Sequence, residues 1–203
     1  MRNILFIKSS LNAEQGNSNQ LASELLAQLI AKTPATVIER DLNKDQLPHL
    51  SQQEMAAWMT LVDERNEEQK KLVDISDQLI TELQHCDTVV VAMPMYNLGV
   101  PSIFKAWIDR VARAGITFKY TEQGPVGLLQ NKKVIVVAAR GGVYAGTAKD
   151  TQTQYLKDVF AFIGLSDVEF IYAEGLNMPI KAERIEMAKT NINQLVEKLV
   201  VNG

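Results

Sequence analysis

The 203-residue chain repeats one pattern: a short apolar run, then a segment with helical spacing. ILFIK at residues 4–8 is bounded by polar residues and reads as a buried strand, and residues 19–32 then place Leu21, Leu25, Leu26, Leu29 and Ile30 on one helical face. ATVIERD, DTVVVAMPMY, KKVIVVAARGG and VEFIYAEG are the further strands. Residues 68–84, 102–113, 153–163 and 181–200 are the further helices. Strands that are apolar throughout are buried on both faces, and helical crossovers between them require parallel pairing. The pattern therefore predicts an α/β fold with a doubly wound five-stranded parallel sheet over residues 1–203, as one domain.

Two stretches break the alternation. Residues 42–67 predict one or two short helices, and residues 115–129 (GITFKYTEQGPVGLL) predict a hairpin or flap between the third and fourth strands. Hydrophobic residues make up 46% of the chain and charged ones 22%, enough for a core without staples, which excludes a disordered or disulfide-bonded scaffold. The net charge of −3 gives no basic face for nucleic acid. A single cysteine, Cys86, cannot form an internal disulfide, and no signal peptide or transmembrane run is visible, so a cytoplasmic protein without a membrane or nucleic-acid partner is expected. His49 and His85 have no ligand-like partners, and no metal site is expected.

Ligands of such sheets bind beyond the carboxyl ends of the strands, where strand order reverses. The first strand-end loop, KSSLNAEQGNSNQL, offers Ser10, Gly16, Asn17 and Ser18 at a helix start, where backbone N–H groups attract an anion. It lacks the glycine patterns of dinucleotide and triphosphate sites, and no basic residue follows Lys8 before Lys32. A single phosphate held by amides and hydroxyls suits it, with Glu14 turned to solvent; an ordinary cap at Asn17 or Ser18 is the plainer alternative. After the third strand, Met95, Tyr96, Asn97 and Leu98 combine apolar, aromatic and amide groups, with Gly99 and Pro101 shaping the turn. After the fourth, Ala139, Arg140, Gly141 and Gly142 bring bare backbone close to a ligand. In a sheet of order 2-1-3-4-5 these loops converge, and together they describe a flavin mononucleotide (FMN) site.

The stretches KSS…GNSNQL, AMPMYN, VARAGITFKYTEQGPVGLLQNKK, ARGGVY and FIGLSDVEFIYAEGLN resemble the FMN-dependent NADH azoreductase and quinone reductase family, on a flavodoxin-like fold. That resemblance covers most of the chain outside residues 42–67. It implies one FMN per subunit, NADH as electron donor, and a ping-pong hydride reaction that reduces quinones and aromatic azo compounds. It places the FMN contacts on Ser10, Gly16, Asn17 and Ser18, on Met95 to Leu98, and on Ala139 to Gly142, and it implies a homodimer.

Two departures stand out: Ala139 replaces a frequent hydroxyl residue, and Tyr144 replaces a histidine, leaving Tyr144 as a candidate neutral proton donor. The flavin carries the chemistry, so no other catalytic residue is expected. Tyr120 and Phe162 are the candidate acceptor-stacking residues, with Phe118, Trp58 and Met59 beside them. The apolar face of residues 102–114, with Ile103, Phe104, Trp107, Ile108 and Val111, suits either a dimer contact or burial against the sheet. A flavodoxin-type electron carrier without its own substrate is the rival reading. A modest net charge and the flap argue against it.

Overall fold

The computed structural model describes residues 2–201. Strands β1 (Arg2–Lys8), β2 (Ala35–Asp41), β3 (Thr88–Pro94), β6 (Lys133–Ala139) and β7 (Asp167–Ala173) form one parallel sheet in the order β2-β1-β3-β6-β7. Counting only these strands, that is the expected 2-1-3-4-5 order. The two remaining strands, β4 (Phe118–Thr121) and β5 (Gly124–Gly127), pair antiparallel as the expected hairpin.

The sheet is covered on both faces because alternate side chains of each central strand point to opposite sides. On one face Ile4 and Phe6 of β1 and Ile135 and Val137 of β6 meet helices α1 (Asn17–Lys32) and α7 (Lys181–Val201). On the other, Leu5, Ile7, Val89 and Val91 meet α4 (Glu67–His85), α5 (Ser102–Val111) and α6 (Thr151–Phe162). Among the described residues no helix is long and apolar enough to cross a membrane. Phe104, Trp107, Ile108 and Val111 are buried within this core, so the apolar face of α5 is consumed inside one chain. The dimer-contact explanation of that face is thereby corrected in favour of burial against the sheet.

Residues 42–67 hold the expected short helices, α2 (Leu42–Asp45) and α3 (Gln52–Met59). Leu42 fixes α2 in the core, and α3 is held by charge as well as by the buried Ala57. Glu54, one turn into α3, is buried and accepts a hydrogen bond at 2.8 Å from Arg110 Nη2 of α5, which is itself fully buried. Arg110 Nη1 also donates to the carbonyls of Pro48 at 2.7 Å and Ala106 at 3.1 Å. Nearby, Arg113 packs over the Trp58 ring at 5.4 Å and pairs with Asp77. The irregular segment is thus fastened to the sheet layer through guanidinium groups that hydropathy does not reveal.

The hairpin is anchored by backbone contact. A Cβ on Gly127 would sit 2.0 Å from the Gly164 nitrogen, and the Leu129 amide donates to Ile163 at 3.0 Å. Cys86 lies buried beneath α4, where desolvation, partly opposed by Lys132, pushes its thiol up to about 11.

Removing one partner of a buried ion pair strands the other charge, a loss of about 3–5 kcal/mol. Glu54→Ala should therefore lower the urea midpoint by an amount of that size at unchanged m-value. An unchanged midpoint would show that Arg110 does not depend on Glu54.

Candidate functional site

The carboxyl edge of the sheet carries the three expected loops. Helix α1 starts from Gly16, an extended residue with φ −68° and ψ 126°, and no side chain caps the helix. The expected alternative of an Asn17 or Ser18 cap is corrected: both lie inside the first turn. An uncapped start leaves first-turn N–H groups open, together with the positive end of the helix dipole. Ser18 is buried, and its hydroxyl has no hydrogen-bond partner. Gly16 is required sterically, because a Cβ there would lie 2.2 Å from Ser10 Oγ. Lys8 is turned away, pairing with Glu14 at 3.1 Å and Glu39 at 2.9 Å, so this pocket is lined by neutral donors. Glu14 remains largely solvent-exposed at that contact, as expected.

The second loop is a tight turn. The Tyr96 and Gly99 amides donate to each other's carbonyls at 3.1 and 3.0 Å, with Asn97 and Leu98 between them at φ 50° and 63°. Two successive left-handed residues between such bonds make a type I′ turn. Gly99 closes the turn and Pro101 caps the next helix, while the left-handed backbone belongs to Asn97 and Leu98. A left-handed leucine is disfavoured by about 1–2 kcal/mol and persists only where surrounding bonds enforce it. Thr151 Oγ1 donates to the Leu98 carbonyl, and Gln152 Nε2 donates to Gly99 at 3.1 Å. Tyr96 ties this turn to the first loop: its hydroxyl lies 3.3 Å from Ser10 Oγ and accepts from the Leu11 amide at 3.1 Å.

The third loop leaves β6 at Ala139. Arg140 borders the pocket as expected, and its guanidinium points inward and is fully engaged, which leaves its backbone to face a ligand. Nε donates to Gln152 at 3.2 Å, Nη1 meets Glu174 at 3.0 Å and Asp150 at 3.1 Å, and Nη2 donates to Thr153 at 2.9 Å. The Tyr172 ring lies 5.0 Å away. The Glu174 carboxylate also accepts from the amides of Tyr144 at 3.0 Å and Ala145 at 2.9 Å, which fixes the far side of the loop. Burial works against ionisation of Asp150, yet the Thr153 amide and hydroxyl and Arg140 outweigh it and hold its carboxyl below the usual range.

Two adjoining cavities open between the loops. The first, about 240 Å³, is lined by Ser10, Gly16, Asn17, Ser18, Tyr96 and Ala139 among others. The second, about 400 Å³, is lined by Met95, Asn97, Leu98, Gly141, Gly142 and Tyr144, with Asn177 and Met178. Met95, Gly141 and Asn177 border both. A Cβ on Gly141 would lie 2.4 Å from the Asn177 amide, so the loop after β7 closes the fourth side. A wider cavity of about 1040 Å³, on the α5 and α6 side of the Tyr96 turn, includes Leu11, His49, Val100, Lys105 and Tyr155.

The expected acceptor-stacking residues lie elsewhere in the chain. Tyr120 is 74% exposed on the hairpin, and Phe162 packs at 4.2 Å against Phe118, so neither borders these cavities. Gln152, Glu174 and Asn177 were missed. Glu174 and Asn177 follow the fifth strand directly, where the strand-end rule applied to the other loops would have directed attention. Gln152 sits in a polar TQTQ run that reads as solvated helix surface.

The arrangement suits FMN: an open helix start with an orphaned buried hydroxyl for the phosphate, and a shallow slot between a turn and bare glycine backbone for the ring. Comparisons with known proteins agree with this geometry. A family model described as flavodoxin-like fold matches residues 2–196. A relative from Alteromonas mediterranea, named FMN-dependent NADH:quinone oxidoreductase, is 55% identical over 178 residues, 88% of this chain and 89% of its own. A relative of the same name from Pseudoalteromonas atlantica is 51% identical over 199 residues, 98% of this chain and 96% of its own. The crystal structure of an azoreductase from Bacillus anthracis superposes with a TM-score of 0.89 at 32% identity, covering 98% of this chain and all of the other (100%). The chain belongs to the flavodoxin-like fold family.

Asp150 titrates below its ordinary value of 3.8, so its contribution to stability is complete above that value and is lost as pH falls through the lowered one. Asp150→Asn should be less stable than wild type at pH 7 and lose less on acidification across that window. Parallel acid limbs in thermal melts would contradict the assignment.

Proposed function

We propose that the chain is an FMN-dependent oxidoreductase that takes reducing equivalents from NADH and delivers them to quinones and aromatic azo compounds. The relatives' names supply the cofactor, donor and quinone acceptor, and the azo activity rests on the solved azoreductase. The observation in this chain that carries the reading is the buried, unpartnered Ser18 hydroxyl at the uncapped start of α1. A buried hydroxyl without a partner is unfavourable unless a ligand completes it.

When bound, FMN supplies the hydride chemistry. The protein's part is binding and orientation. Ser10, Gly16, Asn17 and Ser18 would hold the phosphate with neutral donors. The Met95 to Leu98 turn and the backbone from Ala139 to Gly142 would flank the ring, with Arg140 contributing backbone only. Glycine N–H groups there can stabilise negative charge at the ring edge. The Tyr144 ring folds over Gly142, where an added Cβ would come within 2.9 Å of its hydroxyl, and this proximity supports a role in which Tyr144 Oη would give a proton near that edge. No observation favours the carrier reading, which would leave the wide cavity without a role.

A homodimer with one FMN per subunit accords with the wide cavity of about 1040 Å³ and with Leu11 and Leu98, half exposed at the same edge. In such an assembly Tyr120 and Phe162, remote from the slot of their own chain, would reach acceptors bound at the partner's. A cytoplasmic location completes the reading, since it is where NADH is available.

Purified protein should turn yellow with added FMN and then oxidise NADH in the presence of a quinone or an azo dye; colourless protein with no turnover would overturn the proposal. Ser18→Ala should leave the stability of the FMN-free protein within about 0.5 kcal/mol while weakening FMN by roughly 10–100-fold, the worth of one charge-assisted hydrogen bond. Tyr144→Phe should lower quinone turnover about 10-fold or more at unchanged FMN affinity, because general acids contribute at least that much. Unchanged turnover would remove Tyr144 as the proton donor.

A further inference from the structure

Gln152 is the second residue of α6 and is completely buried, an unusual place for an amide at a helix start. Its three side-chain hydrogen bonds all go to residues that build the two walls of the ring slot. One Nε2 hydrogen goes to the Pro94 carbonyl at 2.9 Å and the other to the Gly99 carbonyl at 3.1 Å. These carbonyls bracket Met95 to Leu98, the strained turn that forms one wall. Its oxygen accepts from Arg140 Nε at 3.2 Å, and Arg140 is the first residue of the opposite wall. A single side chain therefore bonds both ends of one wall directly and reaches the other through the inward-pointing Arg140 side chain. Among the described residues no backbone hydrogen bond joins the Asn97–Leu98 tip to Gly141 or Gly142. The nearest direct link, from the Met95 amide to the Ala139 carbonyl at 3.1 Å, lies at the foot of the slot.

We infer that Gln152 is the positioning residue that sets the separation between the Met95–Leu98 turn and the Arg140–Gly142 backbone, and hence the width of the slot that receives the planar ring. The inference rests on the FMN reading above. A carboxylate or an apolar side chain cannot do the same work. Glutamate keeps an acceptor for Arg140 but turns an oxygen toward two carbonyls that have lost their donor. Methionine keeps the volume and removes all three bonds. Either change frees the left-handed Asn97 and Leu98 from one of the bonds that enforce them. The phosphate seat at Gly16 to Ser18 makes no bond to Gln152 and meets the turn through the Tyr96 hydroxyl, at Ser10 and Leu11, so its first-turn N–H groups are held independently of Gln152.

This separation of ring from phosphate gives the test. FMN and riboflavin share the ring and differ in the phosphate, so their affinities by flavin fluorescence quenching report the two parts independently. Gln152→Glu and Gln152→Met should each weaken FMN and riboflavin by the same factor, at least 10-fold, leaving their affinity ratio as in wild type. Ser18→Ala should instead compress that ratio. Ile192→Val, on the buried face of α7 and outside the lining of both cavities, is the control for general destabilisation and should change neither affinity by more than 2-fold. Should one Gln152 variant fail to fold, the other carries the comparison. FMN binding within 2-fold of wild type in a folded Gln152 variant, or a loss confined to FMN with riboflavin unaffected, would overturn the inference alone. Wild-type protein that binds neither flavin would overturn the functional reading, and this inference with it.

Discussion

A fully buried guanidinium has to find partners for its donors, and at Arg140 that requirement organises the ligand-binding edge of the sheet. Its partners come from three places in the chain: Asp150, Gln152 and Thr153 at the start of α6, Glu174 just after β7, and the Tyr172 ring within β7. Each partner then does a second job. Glu174 holds the Tyr144 and Ala145 amides, Gln152 holds the Tyr96 turn, and Asp150 caps α6 through the Thr153 amide. The charge itself never faces a ligand. Its effect is to make three loops behave as one rigid frame, which is what a preorganised cofactor slot needs.

The same economy separates the two ends of the proposed site. At the proposed phosphate end, the groups on offer are backbone dipoles and an unpaired hydroxyl, with Lys8 diverted to Glu14 and Glu39. At the proposed ring end, the slot offers shape, walled by a strained turn and by glycine backbone. Glycine at 16 and 141 answers a steric demand in both places, because a Cβ at either would strike a neighbouring polar side chain.

The central strands β1, β3 and β6 are legible because each is an apolar run buried on both faces, whereas the edge strand β2, ATVIERD, is half exposed and is marked by its β-branched residues and the Pro34 that precedes it. The convergence of loops one, three and four followed from strand order alone. What the sequence hid was orientation. Arg140 looks like a ligand residue in ARGG until its neighbours are known, and Gln152 looks like surface. The apolar stripe on α5 was compatible with two destinations, and only packing assigns Phe104 and Trp107 to the core. Leu98 carries no signal of its left-handed backbone, since the bonds that enforce it come from Thr151 and Gln152, more than fifty residues on.

The central claim is that the open start of α1 is a phosphate seat belonging to a flavin site. Calorimetric titration of the cofactor-free wild-type protein with FMN and with riboflavin tests it directly. Burying a dianionic group among charge-assisted hydrogen bonds predicts FMN binding tighter by at least about 100-fold, roughly 2.7 kcal/mol. Equal affinity for the two would contradict the account, because the phosphate would then be making no use of the Gly16 to Ser18 seat.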